Sequence, residues 1–200
     1  MSGICHETSV GYAEVTVEGL NLLQRKIFIR GEVTPELADD ILSKLLLLVD
    51  DSNPERSKPI NIIIDSVGGE VLSGLMIHDS IKALEDKVEI NLYCTRLAAS
   101  IAAIIFGCGP KGHRFILPHS KVLIHEPLIT GGMNGSASQI SKTAEEILIT
   151  KHKLNSMLAE ATGKSLKQIN RDTKTDYVLD AKEAIEYGLA DEIRSPFEVR

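Results

Sequence analysis

The feature that most constrains this chain is a unit that occurs twice: a short apolar run rich in β-branched residues, a small-residue segment, then an amphipathic stretch. Residues 60–65, Ile-Asn-Ile-Ile-Ile-Asp, read as a buried strand. Ser66-Val67-Gly68-Gly69 reads as the turn that delivers the chain into a helix carrying Leu72, Leu75, Met76, Ile77 and Ile81. Residues 88–94 read as a second such strand, turning at Arg96 to Ser100 into a helix that ends near Gly107. One turn with two glycines and one with Ser100 are thus expected at comparable ends of neighbouring strands. Apolar strands alternating with amphipathic segments from Gln24 onward predict an α/β domain.

Local signals punctuate the rest of the chain. A strand over 26–30 leads through Gly31 to a helix with Thr34 as N-cap and Pro35 at its first position, whose buried stripe is Leu37, Ile41, Leu45 and Val49. Residues 114–117 and 121–125 read as two short strands, and the Gly-rich segment 131–135 precedes the longest helix, 138–162, stopped by Gly163. At 1.5 Å per residue, about 24 residues span about 36 Å, long enough to project from a small domain toward a partner subunit. Asp180 with Glu183 forms a capping box for a helix closed by Gly188, ahead of a strand over 189–193. The first 23 residues are Gly-dotted, with a Val/Thr patch at Val15 to Val17 and no sustained period, and are expected to form an amino-terminal arm. Residues 24–200 are expected to form a single domain, since 200 residues at 43% hydrophobic suit one core.

Composition excludes several classes. A net charge of -6 with scattered basic residues leaves no electrostatic footprint for nucleic acid or anionic lipid. The most apolar stretch, 97–108, falls short of the roughly 20 residues of a membrane span and contains Ser100. No basic segment followed by an apolar run opens the chain, so a secretory signal is not expected and cytoplasm is the default. Cys5, Cys94 and Cys108 are sparse and odd in number, which suits a reducing compartment.

Ser100 lies between Ala98-Ala99 and Ile101-Ala102-Ala103, where small neighbours allow a carbonyl substrate to approach and the following helix offers free N–H groups to an oxyanion. The plainer reading is a serine that caps its helix. Two glycines at 68 and 69 permit close backbone approach, so that the amides of Gly69 and Ile101 can form an oxyanion hole, although a Gly-Gly pair is commonly just a turn. His125 ends the run Val122-Leu123-Ile124 and is the best base candidate. His113, His119 and His125 recur every six residues, which invites a metal reading, but an HExxH pattern and any cysteine pair are absent. Local pattern does not choose among Asp172, Asp176 and Asp180.

Taken together, Ile64-Asp65-Ser66-Val67-Gly68-Gly69, then Ala98-Ala99-Ser100, then residues 111–118 (Lys-Gly-His-Arg-Phe-Ile-Leu-Pro), then Val122-Leu123-Ile124-His125-Glu126-Pro127 resemble the Clp protease proteolytic subunit family in order. Residues 154–163, Asn170-Arg171-Asp172-Thr173 and residues 181–191 extend the resemblance, which covers roughly residues 24 to 194. It implies a Clp peptidase/crotonase-type fold of repeated strand-turn-helix units with a projecting handle helix. It also implies a serine endopeptidase with the triad Ser100, His125 and Asp176, and Gly69 and Ile101 at the oxyanion positions. No metal or cofactor is implied. Family members stack two seven-membered rings around the active sites, and hexameric AAA+ ATPases unfold protein substrates and feed them in. This chain has no GxxxxGK[ST] loop of its own.

Departures from the family pattern are specific. Arg96 and Ala102 stand in place of glycines, and Val67 in place of a proline. The strand before Ser100 and the Gly-rich segment after Pro127 each run longer, by about two residues, which is expected to shift the substrate-binding edge. The amino segment lacks the family's usual axial-loop and first-helix signature, and Lys174 and Thr175 replace an acidic-basic pair between rings. These changes raise the alternative of a poorly active or structural subunit in a mixed complex with a second Clp peptidase subunit. An acyl-CoA hydratase or thioesterase of crotonase type is the remaining alternative, disfavoured because such enzymes place acid-base carboxylates where this chain has serine and histidine.

Overall fold

The computed structural model describes residues 4–8, 11–50, 52–128 and 135–198. At the amino end, β1 (Ile4–Thr8) and β2 (Gly11–Val15) pair antiparallel, and α1 (Val17–Leu23) follows. The segment read as lacking a period therefore carries a helix. Seven residues make only two turns, too few to print a repeat in the sequence. The helix is started by Thr16, whose hydroxyl accepts the Gly19 N–H at 3.0 Å, and tied to its neighbour by Lys44, which bonds both Glu18 and Asp40.

The elements that follow are β3 (Lys26–Val33), α2 (Pro35–Val49), β4 (Ile60–Gly69), α3 (Val71–Leu84), β5 (Ile90–Ala99), α4 (Ile101–Gly107), β6 (Arg114–Ile116) and β7 (Lys121–Ile124). After these come α5 (Ala137–Thr162), α6 (Leu166–Asp172), β8 (Tyr177–Leu179), α7 (Ala181–Tyr187) and β9 (Glu192–Ile193). Among the described residues one sheet has the parallel order β3-β4-β5-β6-β9. Farther along β5, residues 97–99 exchange β6 for β7, also parallel, and β8 adds antiparallel to β7. This is the expected α/β class with a mostly parallel sheet. Ile27, Ile29, Ile62, Ile64 and Leu92 face a core shared with Ile41, Leu45, Ile77, Ile81 and Ile105. On α2 the stripe is Ala38, Ile41, Leu45 and Leu48, so Leu37 and Val49 fall at its margins, and on α3 Leu72 is exposed.

Two expected turns are strands. Residues 66–69 continue β4 because β3 runs on through Gly31 and supplies partners, Gly31 to Ser66, Glu32 to Gly68 and Val33 to Gly69. Residues 97–99 continue β5 because β7 supplies Lys121, Val122 and Leu123. A ladder partner distant in sequence overrides local turn chemistry, and each turn shrinks to one residue, Glu70 or Ser100.

Ahead of Ser100, β5 carries a bulge against β4. Ile64 pairs with Cys94 and Ser66 with Ala98, so Asp65 alone faces Thr95, Arg96 and Leu97. Arg96 fills the bulge by donating from Nε to both Asp65 oxygens at 2.7 and 3.0 Å. Beyond the bulge, residues 97–99 pair regularly with 121–123 up to the serine.

Helix α5 has 26 residues, about 39 Å at 1.5 Å per residue. It begins with a capping box between Ser136 and Gln139 and ends on Gly163 at φ +73°. Residues 137–146 are all exposed, and the helix buries only Leu154, Asn155 and Leu158. Residues 131–134 of the Gly-rich segment lie outside the described residues. Among the described residues no helix is long and apolar enough to cross a membrane.

Candidate active site

Ser100 sits between the end of β5 and the start of α4 with φ +58° and ψ −127°. A β-carbon is disfavoured at such angles, so the surroundings must hold it. Its N–H donates to Leu123 O at 2.9 Å, and its carbonyl accepts the Ala103 N–H at 3.0 Å. The hydroxyl makes no cap bond to α4, which removes the reading of this serine as a helix cap. Gly68, at φ +90°, allows β4 to press against the turn. A β-carbon there would meet Ser100 Cβ at 2.6 Å and Ala99 O at 2.7 Å. Ile101 is the first residue of α4, so its N–H has no acceptor within the helix.

The amide of Gly68 donates to Ser66 Oγ at 3.1 Å. Glu70 N–H donates to Val33 O at 2.8 Å, and extended backbone alternates the direction of its amides. The Gly69 N–H is thereby turned away from β3, toward the side on which Ser100 and Ile101 stand. Close packing of Gly69 on Val33 leaves no room for a side chain, since a β-carbon would lie 2.3 Å from Val33 O.

His125 and Asp176 meet because two strands are antiparallel. Val122, Leu123 and Ile124 pair with Leu179, Val178 and Tyr177, so the next residues along, His125 and Asp176, stand opposite one another. His125 Nδ1 lies 3.5 Å from Asp176 Oδ1, with the imidazole 16% and the carboxylate 70% exposed. The other two aspartates are engaged elsewhere. Asp172 accepts the Tyr187 hydroxyl at 2.9 Å and Arg171 Nε at 3.0 Å, while Asp180 accepts the N–H groups of Lys182 and Glu183. His113 Nδ1 pairs with Asn91 Oδ1 at 2.9 Å, whereas His119 is exposed.

Ser100 and His125 line one small cavity of about 20 Å³, with walls from Val71, Ile101, Ile104, Ile124, Pro127, Leu154, Asn155 and Leu158. No hydrogen bond joins the hydroxyl to the imidazole in this conformation. Apart from Ser100, His125 and Asn155 the lining side chains are apolar, suited to an aliphatic group next to a reacting carbonyl. Reasoning on sequence did not pick out Val71, Ile104 or Asn155. The available signal was weak, since Leu154 and Leu158 at i and i+4 mark a buried helix face without saying what it faces. Cys94 and Cys108 are poor nucleophiles. Burial pushes Cys94 and Cys108 up to about 12, leaving little thiolate at neutral pH.

A family model described as Clp protease matches residues 12–196, all but the first 11 and the last four residues. The match begins at β2, upstream of the point from which the motifs carry the resemblance, and takes in the whole main sheet together with α1 and α5. With its mostly parallel α/β architecture, the chain belongs to the Clp protease family, a family of serine peptidases.

Proposed function

We propose that this chain is the proteolytic subunit of an ATP-dependent Clp protease, a serine endopeptidase in which Ser100 is the nucleophile, His125 the general base and Asp176 the residue that orients His125. The observation that carries this reading is an uncapped serine held at φ +58° in a cavity it shares with a histidine that faces a carboxylate. Strained strand-to-helix turns of this kind expose a nucleophile and leave helix amides free beside it. In the reaction His125 takes the Ser100 proton as Oγ attacks a peptide carbonyl, and Asp176 holds the imidazole tautomer and stabilises the imidazolium. Amides of Gly69 and Ile101 receive the oxyanion. The imidazolium returns its proton to the leaving amine, and a water activated by His125 then hydrolyses the acyl-enzyme. General acid-base help of this kind contributes about 10²–10⁴-fold.

The working form is a barrel of two stacked heptameric rings in the cytoplasm, supplied with unfolded protein by an AAA+ ATPase. A second reading is favoured by one observation: Asp176 is mostly exposed at 3.5 Å from the imidazole, and Ser100 is not bonded to it. On that reading the chain is a poorly active or structural subunit whose site aligns only beside a second Clp peptidase subunit.

Intact-mass detection of fluorophosphonate labelling separates the two. One adduct on the purified protein, absent from Ser100→Ala, is the expected result. No adduct alone, and none after co-assembly with a second Clp peptidase subunit, would exclude Ser100 as a working nucleophile.

A further inference from the structure

His125 and Asp176 are fastened together from two sides. One fastening is the last ladder pair, Ile124 with Tyr177. The other is one main-chain hydrogen bond, from Glu126 N–H to Thr173 O at 2.8 Å. Between the fastenings one strand has only His125, whereas the other has Lys174, Thr175 and Asp176. The longer arm has slack, so the place of Asp176 depends on where Thr173 is held.

Thr173 is held by α5. It is fully buried, and its Oγ1 donates to Ile169 O at 2.8 Å. Asn155 Nδ2 donates to Thr173 Oγ1 at 3.1 Å and to Asn170 Oδ1 at 2.7 Å. Asn155 is itself 1% exposed and lies in the cavity wall between Leu154 and Leu158. One turn earlier on the same helix, Lys151 forms an ion pair with the Glu126 carboxylate. Helix α5 thus grips both ends of the Glu126 to Thr173 bond.

A polar side chain on the buried face of α5 is costly unless bonded, and leucine would pack there without that demand. What asparagine adds is a fixed distance to Thr173. We propose that Asn155 and Thr173, assisted by the Lys151–Glu126 pair, are positioning residues that set the spacing between the His125 imidazole and the Asp176 carboxylate. This rests on the reading of those two groups as base and orienter. The handle helix in this role does more than project, because its register fixes the geometry of the candidate triad.

Thr173→Val keeps the shape and removes the hydroxyl, and Thr173→Ser restores it. With a short fluorogenic peptide, Thr173→Val is expected to lower kcat about tenfold to a hundredfold while KM stays within about twofold, with Thr173→Ser recovering most of the loss. Ring ¹⁵N shifts of His125, assigned by His125→Gln, should show a smaller share of the Nδ1–H tautomer in Thr173→Val. Unchanged kcat and unchanged tautomer in Thr173→Val would overturn the proposal while leaving the peptidase reading intact. Should Thr173→Val not fold, Lys151→Met carries the same test, since its ion pair is part-exposed, and an unaltered tautomer there counts against the proposal. A wild type that stays unlabelled and inactive even after co-assembly with a second Clp peptidase subunit would sink the peptidase reading instead. The tautomer comparison then decides alone: a shift in Thr173→Val supports positioning and an identical spectrum refutes it.

Discussion

Ser100 holds a conformation that a glycine would adopt without strain, and its hydroxyl does not cap the helix it precedes. Serine at this position therefore costs stability, by roughly 1–3 kcal/mol for a non-glycine residue in a sparsely populated region. Part of that returns through the greater freedom of glycine in the unfolded chain. Ser100→Gly is expected to raise stability by roughly 0.5–2 kcal/mol relative to Ser100→Ala, with fluorophosphonate labelling lost in both. Denaturant midpoints of the two variants check this, and a less stable Ser100→Gly would remove the strain argument. Residues whose partners lie within a turn of helix were legible in sequence: Thr34 accepts from Leu37 N–H, Asp180 caps α7, and Gly163 ends α5. Asp176 was reached only through the family resemblance, because local pattern cannot see the pairing of β7 with β8 that brings it opposite His125, between residues about 55 positions apart in the chain.

The same division holds for elements. Helices announced themselves where they were long or well capped, whereas the four-residue ends of β4 and β5 looked like turns until β3 and β7 supplied ladders. Side-chain anchors between elements were equally invisible. Arg114, buried in β6, donates through Nη1 to Gly107 O and Gly188 O, the carbonyls at the ends of α4 and α7. Its Nε and Nη2 bond the carboxylate of Asp191, which also accepts the N–H groups of Gly112 and Arg114. Burial pushes the Asp191 carboxyl up, but the hydrogen bonds and charge of Arg114 outweigh it and hold the group below the usual carboxylate range. A carboxyl depressed on folding contributes stability above its unfolded value, near 3.9, and loses it as pH falls through the folded value. Asp191→Asn is expected to destabilise by roughly 2–3 kcal/mol at neutral pH, with the gap to wild type narrowing below about pH 4. Urea unfolding at pH 7 and pH 3.5 measures both, and a gap independent of pH would contradict the assignment.

At the scale of the whole molecule, α5 leaves Leu148 and Ile149 63% and 69% exposed, beyond the wholly exposed stretch 137–146. Under the proposed assembly this exposed apolar pair is the surface expected to meet another copy. With the proposed ring assembly, wild type is expected to sediment as a multi-subunit particle, and Leu148→Lys with Ile149→Lys as a smaller one. Identical sedimentation of the two would place the ring contacts elsewhere. Projection was expected from the length of this helix, and residues 137–146 are exposed, whereas which of its faces is buried depended on α6 and on the segment around Thr173.

Ser100 and Asp176 are anchored very unequally. The serine directly follows the long strand β5 and is wedged between Gly68 of β4 and Leu123 of β7, with its amide and carbonyl both engaged. The aspartate stands beside a strand of three residues on an antiparallel margin, fixed by three pairs to β7. In terms of cooperative opening, the two belong to different units: the first separates only when the core does, the second with the cheapest local excursion available to the sheet. Amides of Tyr177 to Leu179 should therefore exchange with solvent long before those of β4 and β5, and the proposed His125–Asp176 contact is expected to open while the rest of the protein stays folded.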